Sequence, residues 1–282
     1  MIDLHVHSTF SDGTCTPEEL VELGAAAGLA GMALTDHDTT EGVPRFLAAA
    51  EARGLRVLPG VELSVDVPGT PVHILAYGCD PANAPLRDAL VRVREGRHRR
   101  NVEIAAKLVR LGCCITWKDV ADAAGEGGVV ARPHFAQALI KRGYARNKQD
   151  AFRRFLAKGA PAYVDRFRLA PEDALRLVAE AGGVTSLAHP ALCAIAPAAL
   201  RDLVARLAAA GLGGIEAYYT GHRPDQVDAF LRLAAEFHLV PTGGSDFHGA
   251  ATPDISVGTA YGSLNVPDAS FDLLLERLAR AS

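Results

Sequence analysis

Ile2-Asp3-Leu4-His5-Val6-His7, running into Ser11-Asp12-Gly13, is the stretch from which the fold is read. Ile2–Val6 has the composition of a short strand. Successive strand side chains point to opposite faces, so His5 and His7 share one face, with Leu4 and Val6 on the other. A lone strand histidine is ordinarily structural, whereas a pair at this spacing suits a metal ion, because imidazole is a common ligand. Ser11-Asp12-Gly13 then occupies the loop at the strand's C-terminal end, where α/β folds build their sites.

The same arrangement recurs along the chain. A strand at Gly31–Thr35 ends in Asp36-His37-Asp38, and a strand at Arg56–Val65 contains Glu62. His73 lies in the apolar run Pro71–Gly78. His134 follows Arg132-Pro133 just before a helix. The strand Val184–Ala188 ends in His189, and Leu239–Gly243 leads to Asp246 and His248. Each of these alone reads equally well as a capped turn or a buried, hydrogen-bonded histidine. Together these segments hold seven of the ten histidines, which argues for a shared metal site.

Between these strands lie amphipathic helices. Thr16, Pro17 and Glu19 form a capping-box start for a helix over Pro17–Leu29, and Glu41–Arg53 forms the next. This βαβ rhythm predicts parallel strands with crossover helices. From Pro85 to Arg168 the pattern is helical throughout (86–112, 116–124, 133–142 and 148–157), which predicts an inserted subdomain over 85–168. The alternation then resumes, with strands near 184–188, 214–218, 239–243 and 256–262 and helices at 171–181, 197–210, 223–237 and 269–280. The expected fold is α/β: a distorted, TIM-like barrel of residues 1–84 and 169–282 with a helical insertion. A doubly wound open sheet is the alternative.

At 282 residues, with 49% hydrophobic residues, the chain can bury a full core. It begins in strand-like sequence without a basic, then apolar, leader, and has no apolar run of 18 residues. Five cysteines without metal-binding spacing fit a reduced setting, so a cytoplasmic location with no membrane association is expected. No obligate protein partner is evident. The net charge of −4 hides an asymmetry: residues 85–168 carry 19 Lys+Arg against 8 Asp+Glu, a net of +11. An acidic remainder suits cations, and a basic insertion suits an anionic substrate. The bland alternative is a solvated helical surface.

Imidazole and carboxylate without thiolate suit Mn²⁺, Fe²⁺ or Zn²⁺. Nine candidate ligands exceed the three or four that one catalytic zinc takes, so two or three ions are expected. Paired ions can clamp the attacking and leaving oxygens of a phosphoryl displacement.

The motifs HVHSTFSDG (5–13), TDHD (35–38), GVE (60–62), HILAYG (73–78), RPH (132–134), AHP (188–190) and GSDFH (244–248) closely resemble those of the polymerase and histidinol phosphatase (PHP) superfamily. The resemblance implies a distorted (β/α)₇ barrel and a trinuclear metal centre. By motif, one metal takes His5, His7, Glu62 and Asp246; a second shares Glu62 and adds His73 and His134; a third takes Asp12, His37 and His248. Asp12 stands where some members carry histidine, which favours Mn²⁺, with Zn²⁺ or Fe²⁺ as alternatives. The insertion and layout resemble the branch acting on nucleoside 3′,5′-bisphosphates and on short RNA from the 5′ end. That branch implies a small anionic nucleotide substrate, hydrolysed by attack of a metal-activated hydroxide. Histidinol-phosphate phosphatase and a non-catalytic metal-binding module are the competing readings.

His189 is then the candidate general acid, and Arg132 the candidate partner of the developing negative charge. Their alternatives are a strand-end histidine held in place and a salt bridge under the helix after Pro133. Arg92–Arg100 holds five arginines in nine residues, with Arg97 and Arg100 one helical turn apart, so these two are candidates to grip a second phosphate. Tyr218 and His222 follow the strand Gly214–Ala217 and are further candidates to line the pocket.

Overall fold

A computed structural model describes residues 1–124, 129–261 and 263–281. Seven strands form one sheet in chain order: β1 (Ile2–Val6), β2 (Gly31–Leu34), β3 (Val57–Val67), β4 (Thr70–Tyr77), β5 (Val184–Leu187), β6 (Gly214–Tyr219) and β7 (Val240–Gly244). The last strand meets the first. The Asp246 N–H donates to the His5 carbonyl at 2.8 Å and the His7 N–H to the Phe247 carbonyl at 2.9 Å. The sheet is therefore a nearly closed barrel and not a doubly wound open sheet.

The expectation of parallel strands throughout is corrected at β4. It runs antiparallel to both β3 and β5, while the other pairs are parallel. The cause is local: β3 is eleven residues long and turns straight back through Pro68-Gly69, with Gly69 in the left-handed region at φ 85°. No crossover helix intervenes, so β4 must reverse. The barrel is distorted at that point. The strand expected at 256–262 is also absent among its described residues; residue 262 lies outside them. Ser256 pairs only with Ala260, Gly258 and Ala260 have positive φ, and the Gly258 N–H is drawn to the Asp3 carboxylate at 2.7 Å.

The chain divides into two compact units, Met1–Leu90 with Leu169–Ser282, and Val91–Arg168. In the first, helices α1 (Pro17–Ala26) and α2 (Val43–Arg53) follow β1 and β2. The Thr16 capping box forms as expected, with the Glu19 N–H donating to Thr16 Oγ1 and the Thr16 N–H to the Glu19 carboxylate. Leu20, Met32 and Phe46 pack with Val6 in a buried cluster. Each such side chain contributes roughly 1.5–3 kcal/mol. Helices α7 (Pro171–Glu180), α8 (Pro197–Ala209), α9 (Pro224–Glu236) and α10 (Ala269–Ala281) complete this unit, and Phe271 and Leu274 of α10 pack with Ile2, Leu4 and Tyr77.

The second unit contains most of α3 (Ala84–Arg110), then α4 (Trp117–Ala124), α5 (Arg132–Lys141) and α6 (Lys148–Ala151). The helix expected over 148–157 changes form midway. Phe152–Leu156 is wound as a π-helical turn, closed by the Ala157 N–H on the Phe152 carbonyl at 2.8 Å. Its core is Ile104, Leu108, Val120, Phe135, Leu139 and Leu156.

Candidate metal centre

Closure of the barrel gathers the strand-end residues. His5 and His7 are fully buried, and their Nε2 atoms lie 3.1 Å apart. Asp246 Oδ1 is 3.3 Å from His5 Nε2 and 3.1 Å from His7 Nε2, and Glu62 Oε2 is 3.4 Å from both. His37 Nδ1 stands 2.8 Å from Glu62 Oε2, and Glu62 Oε1 is 2.8 Å from His73 Nδ1 and 2.9 Å from His189 Nε2. Asp12 meets His248 Nε2 at 3.2 Å and His37 Nε2 at 3.7 Å. The reversal of β4 explains how His73 takes part. An antiparallel strand brings its early residues to the end where parallel strands deliver their last ones.

Three overlapping groups have ligand atoms within 4.8 Å of one another: His5, His7 and Asp246; His7, Asp12, His37 and His248; and His37, Glu62 and His73. Two ligands about 2.1 Å from one ion stand at most about 4.2 Å apart, and the imidazole–carboxylate separations within these groups, 2.8–3.8 Å, fall inside that limit. The donor set, nitrogen and carboxylate oxygen without thiolate, fits a divalent ion of the Mn²⁺, Fe²⁺ or Zn²⁺ type. His37 falls in two groups rather than with Asp12 and His248 alone, and His7 likewise connects two.

The electrostatics prepare these side chains for cations. Burial and the neighbouring His248 lower His7 to a pKa of about 3, so its imidazole is neutral and offers a lone pair. Burial opposes ionisation of Glu62, Asp12 and Asp246, yet surrounding histidines hold all three carboxyls below their ordinary range. Two other buried carboxyls behave oppositely. Burial raises Asp3 and Asp36, whose neighbours are hydrogen-bond donors from Ser245, Gly258, Ser8 and Ser11. Asp36 accepts from Ser8 and Ser11 at 2.6–2.7 Å, and Asp38 accepts from the Ser64 N–H and hydroxyl at 2.8 and 3.1 Å. These acids clamp the loops that carry the ligands. Asp38, His189 and Asp246 have positive φ, a concentration of backbone strain at one place that marks a functional site.

His134 lies in the second unit at the third position of α5, where its Nδ1 accepts the Ala131 N–H at 3.0 Å. Arg132 begins the same helix; it donates to the Leu156 carbonyl at 3.5 Å and faces the Phe152 and Tyr163 rings. Arg97 and Arg100 are 8% and 5% exposed, on the buried face of α3 with Val93, Gly96 and Ile104, where apolar residues would be expected. Burial together with Arg166, Arg97, Arg132 and Arg168 lowers the pKa of Arg100. Arginine keeps its charge in such settings, so this is a cluster of like charges. Tyr218 and His222 line a cavity of about 390 Å³ beyond β6, with Tyr219, Pro224 and Leu264. The His222 ring contacts those of Tyr219 and Phe230, and its Nδ1 donates to the Ala217 carbonyl at 2.9 Å.

Several participants carry no motif. Asp3 shares the face of His5 but precedes the histidine pair. Arg166 and Arg168 lie 69 and 71 positions from Arg97 in the chain. Glu216 is the one charged residue of β6, in Gly-Ile-Glu-Ala-Tyr-Tyr, and a carboxylate in an otherwise apolar strand is the signal that identifies it. Tyr219 donates to Asp246 Oδ2 at 3.0 Å.

The family model described as PHP domain matches residues 3–126. The chain is 36% identical to a 3′,5′-nucleoside bisphosphate phosphatase of Chromobacterium violaceum, covering 91% of this chain and 90% of that one. It is 35% identical to a 5′-3′ exoribonuclease of Haemophilus influenzae, over 87% and 89% of the two chains. A solved structure from Bifidobacterium adolescentis, assigned as a metal-dependent phosphoesterase, superposes with a TM-score of 0.81 at 32% identity, covering 98% of this chain and 96% of that one. With a nearly closed seven-stranded barrel and His, Asp and Glu clusters able to hold metal, the chain belongs to the PHP family and is a metal-dependent phosphoesterase.

Proposed function

We propose that this enzyme hydrolyses a phosphate monoester of a nucleoside 3′,5′-bisphosphate and also takes short RNA from its 5′ end. The observation that carries the reading is the arginine cluster of the second unit. Arg97, Arg132, Arg166 and Arg168 all bear electrostatically on the buried Arg100, and so basic a cluster suits an anion. A substrate with a second phosphate supplies one, held by the planar guanidinium forks. The names of the two relatives point the same way, since both act on nucleotides or RNA. A histidinol phosphate, whose amine is cationic, is disfavoured by the same cluster.

Nine ligands are assigned as in the family pattern: His5, His7, Asp12, His37, Glu62, His73, His134, Asp246 and His248. Two to three ions are proposed, with Mn²⁺ favoured by the carboxylates of Asp12, Glu62 and Asp246. Divalent ions bound here would supply a nucleophile at neutral pH and neutralise charge on the phosphate oxygens. The remaining work falls to the chain. Glu62, ionised and ringed by imidazoles, holds the ligand groups in register. His189 is raised by Glu62 against the effect of burial, which suits it to give a proton to the leaving oxygen. Arg132 counters charge on the reacting phosphate. Arg97 and Arg100 hold the phosphate that stays. The cavity at Tyr218 and His222 receives part of the nucleoside. The protein acts in the cytoplasm.

Phosphate release by Mn²⁺-loaded protein from a nucleoside 3′,5′-bisphosphate tests this, beside histidinol phosphate and a simple aryl phosphate. Preference for the bisphosphate is expected. Release from histidinol phosphate but not from the bisphosphate would overturn it.

A further inference from the structure

Strand β6 contributes no residue to the three ligand groups, yet it carries a fully buried carboxylate, Glu216. Both of its oxygens are engaged. Oε1 lies 2.9 Å from His5 Nδ1, and Oε2 accepts the backbone N–H of His189 at 2.6 Å. A carboxylate can only accept at Nδ1, so His5 keeps a hydrogen there and Nε2, which faces His7, Glu62 and Asp246, is the nitrogen left to ligate. The second contact falls on a strained residue. His189 has φ 26° and ψ 62°, a conformation that a β-carbon disfavours and that needs an outside hold. From that conformation its ring reaches Glu62 Oε1 at 2.9 Å, the same oxygen that meets His73.

We propose that Glu216 is a positioning residue that sets two groups of the metal centre at once: the tautomer of His5, which it fixes for ligation through Nε2, and the backbone of His189, which it holds so that the imidazole faces Glu62. The two groups lie 184 positions apart in sequence and come from opposite sides of β6. One buried acid therefore couples the ligand side of the centre to the side assigned to proton donation. A carboxylate behind a ligating histidine raises its basicity and fixes its orientation, and loss of such a partner typically weakens metal binding about 10–100-fold. An amide at this position cannot replace it. Its single oxygen can accept from His5 or from the His189 N–H, and its NH₂ then confronts the other donor.

The inference rests on the metal-centre part of the proposed function and is independent of which phosphate ester is cleaved, because it is read by ion binding without substrate. Glu216→Gln should bind Mn²⁺ at the His5 position about 10–100-fold more weakly in calorimetric titration of metal-free protein. At saturating Mn²⁺ it should lose kcat with KM little changed. Unchanged ion number and affinity in a folded Glu216→Gln protein, with only a lower Tm, would overturn the proposal and leave Glu216 a packing residue. A second measurement needs no variant. In Zn²⁺-loaded wild-type protein labelled with ¹⁵N-histidine, NMR should show His5 protonated at Nδ1 and ligating through Nε2. The opposite tautomer would overturn the proposal even if the substituted protein failed to fold.

Discussion

The metal centre of the first unit and the arginine cluster of the second both bury charge, but they balance it differently. In the first, imidazoles and carboxylates alternate. Glu62 alone lies within 3.4 Å of five imidazoles, so acids and histidines partly satisfy one another. In the second, the neighbours that bear most on Arg100 are arginines, and its guanidinium donates to Asn101 Oδ1 at 2.8 and 3.1 Å. A mixed cluster can fold before its ions arrive and then exchange protons for metal. A cluster so rich in arginine carries a positive field that attracts an anion. On the proposed reading, the first pattern serves metal ions and the second an anionic ligand.

The largest expected effect is at the carboxylate that gathers the mixed cluster. Glu62→Gln should lower kcat/KM for any phosphate ester at least about 10³-fold, as removal of a principal electrostatic group does. It should also release ions measurable by elemental analysis. Near-normal activity would mean that Glu62 is not the centre of the site. A smaller and more selective effect is expected from Arg100→Met. KM for a bisphosphate should rise about 10–100-fold, the cost of a lost charge-assisted pair, while KM for an aryl monoester stays the same. Because like charge is removed, the Tm of the anion-free protein should hold or rise. An equal shift for both substrates would erase the contrast between the two clusters.

A further effect concerns protons. Burial opposes it, but Glu216, Asp246 and Glu62 raise His5 well above 6.5, and Asp12 and Asp246 raise His248. A raised histidine pKa means that a proton must leave before an ion binds. Mn²⁺ affinity should therefore strengthen as pH rises from about 6 to 8, by up to roughly tenfold per pH unit for each proton released. His7, neutral over this range, contributes nothing to that slope. Affinity independent of pH would show that the acids do not hold those two imidazoles charged in the metal-free protein.

Much of the barrel could be read from period and punctuation. His5 and His7 two residues apart on an apolar strand, the Thr16 capping box, and acids or histidines following strands β2, β5 and β7 are local signals, each set by the geometry of a few residues. The direction of β4 was not legible in this way. Its apolar run is the same whether a strand is parallel or reversed, and the tight connection through Gly69 decides between them. Over its described residues, the strand expected at 256–262 does not form for a related reason, since the Gly258 N–H is drawn to the Asp3 carboxylate.

By itself, then, the sequence determined which chemistry the chain can perform: imidazoles and carboxylates at strand ends, and an excess of arginine between residues 85 and 168. Residue type and short spacing carry that information, because they set what a side chain can ligate and which face it occupies. Only the tertiary structure decided the partners. It gave Glu62 to both His37 and His73, set Arg166 and Arg168 against Arg100, and separated clamping acids such as Asp3 from acids among the histidines such as Asp246. An aspartate has the same chemistry in every part of the chain. What makes it a clamp or a ligand is whether closure of the barrel surrounds it with N–H and O–H donors or with imidazoles, and those neighbours come from residues far away in sequence.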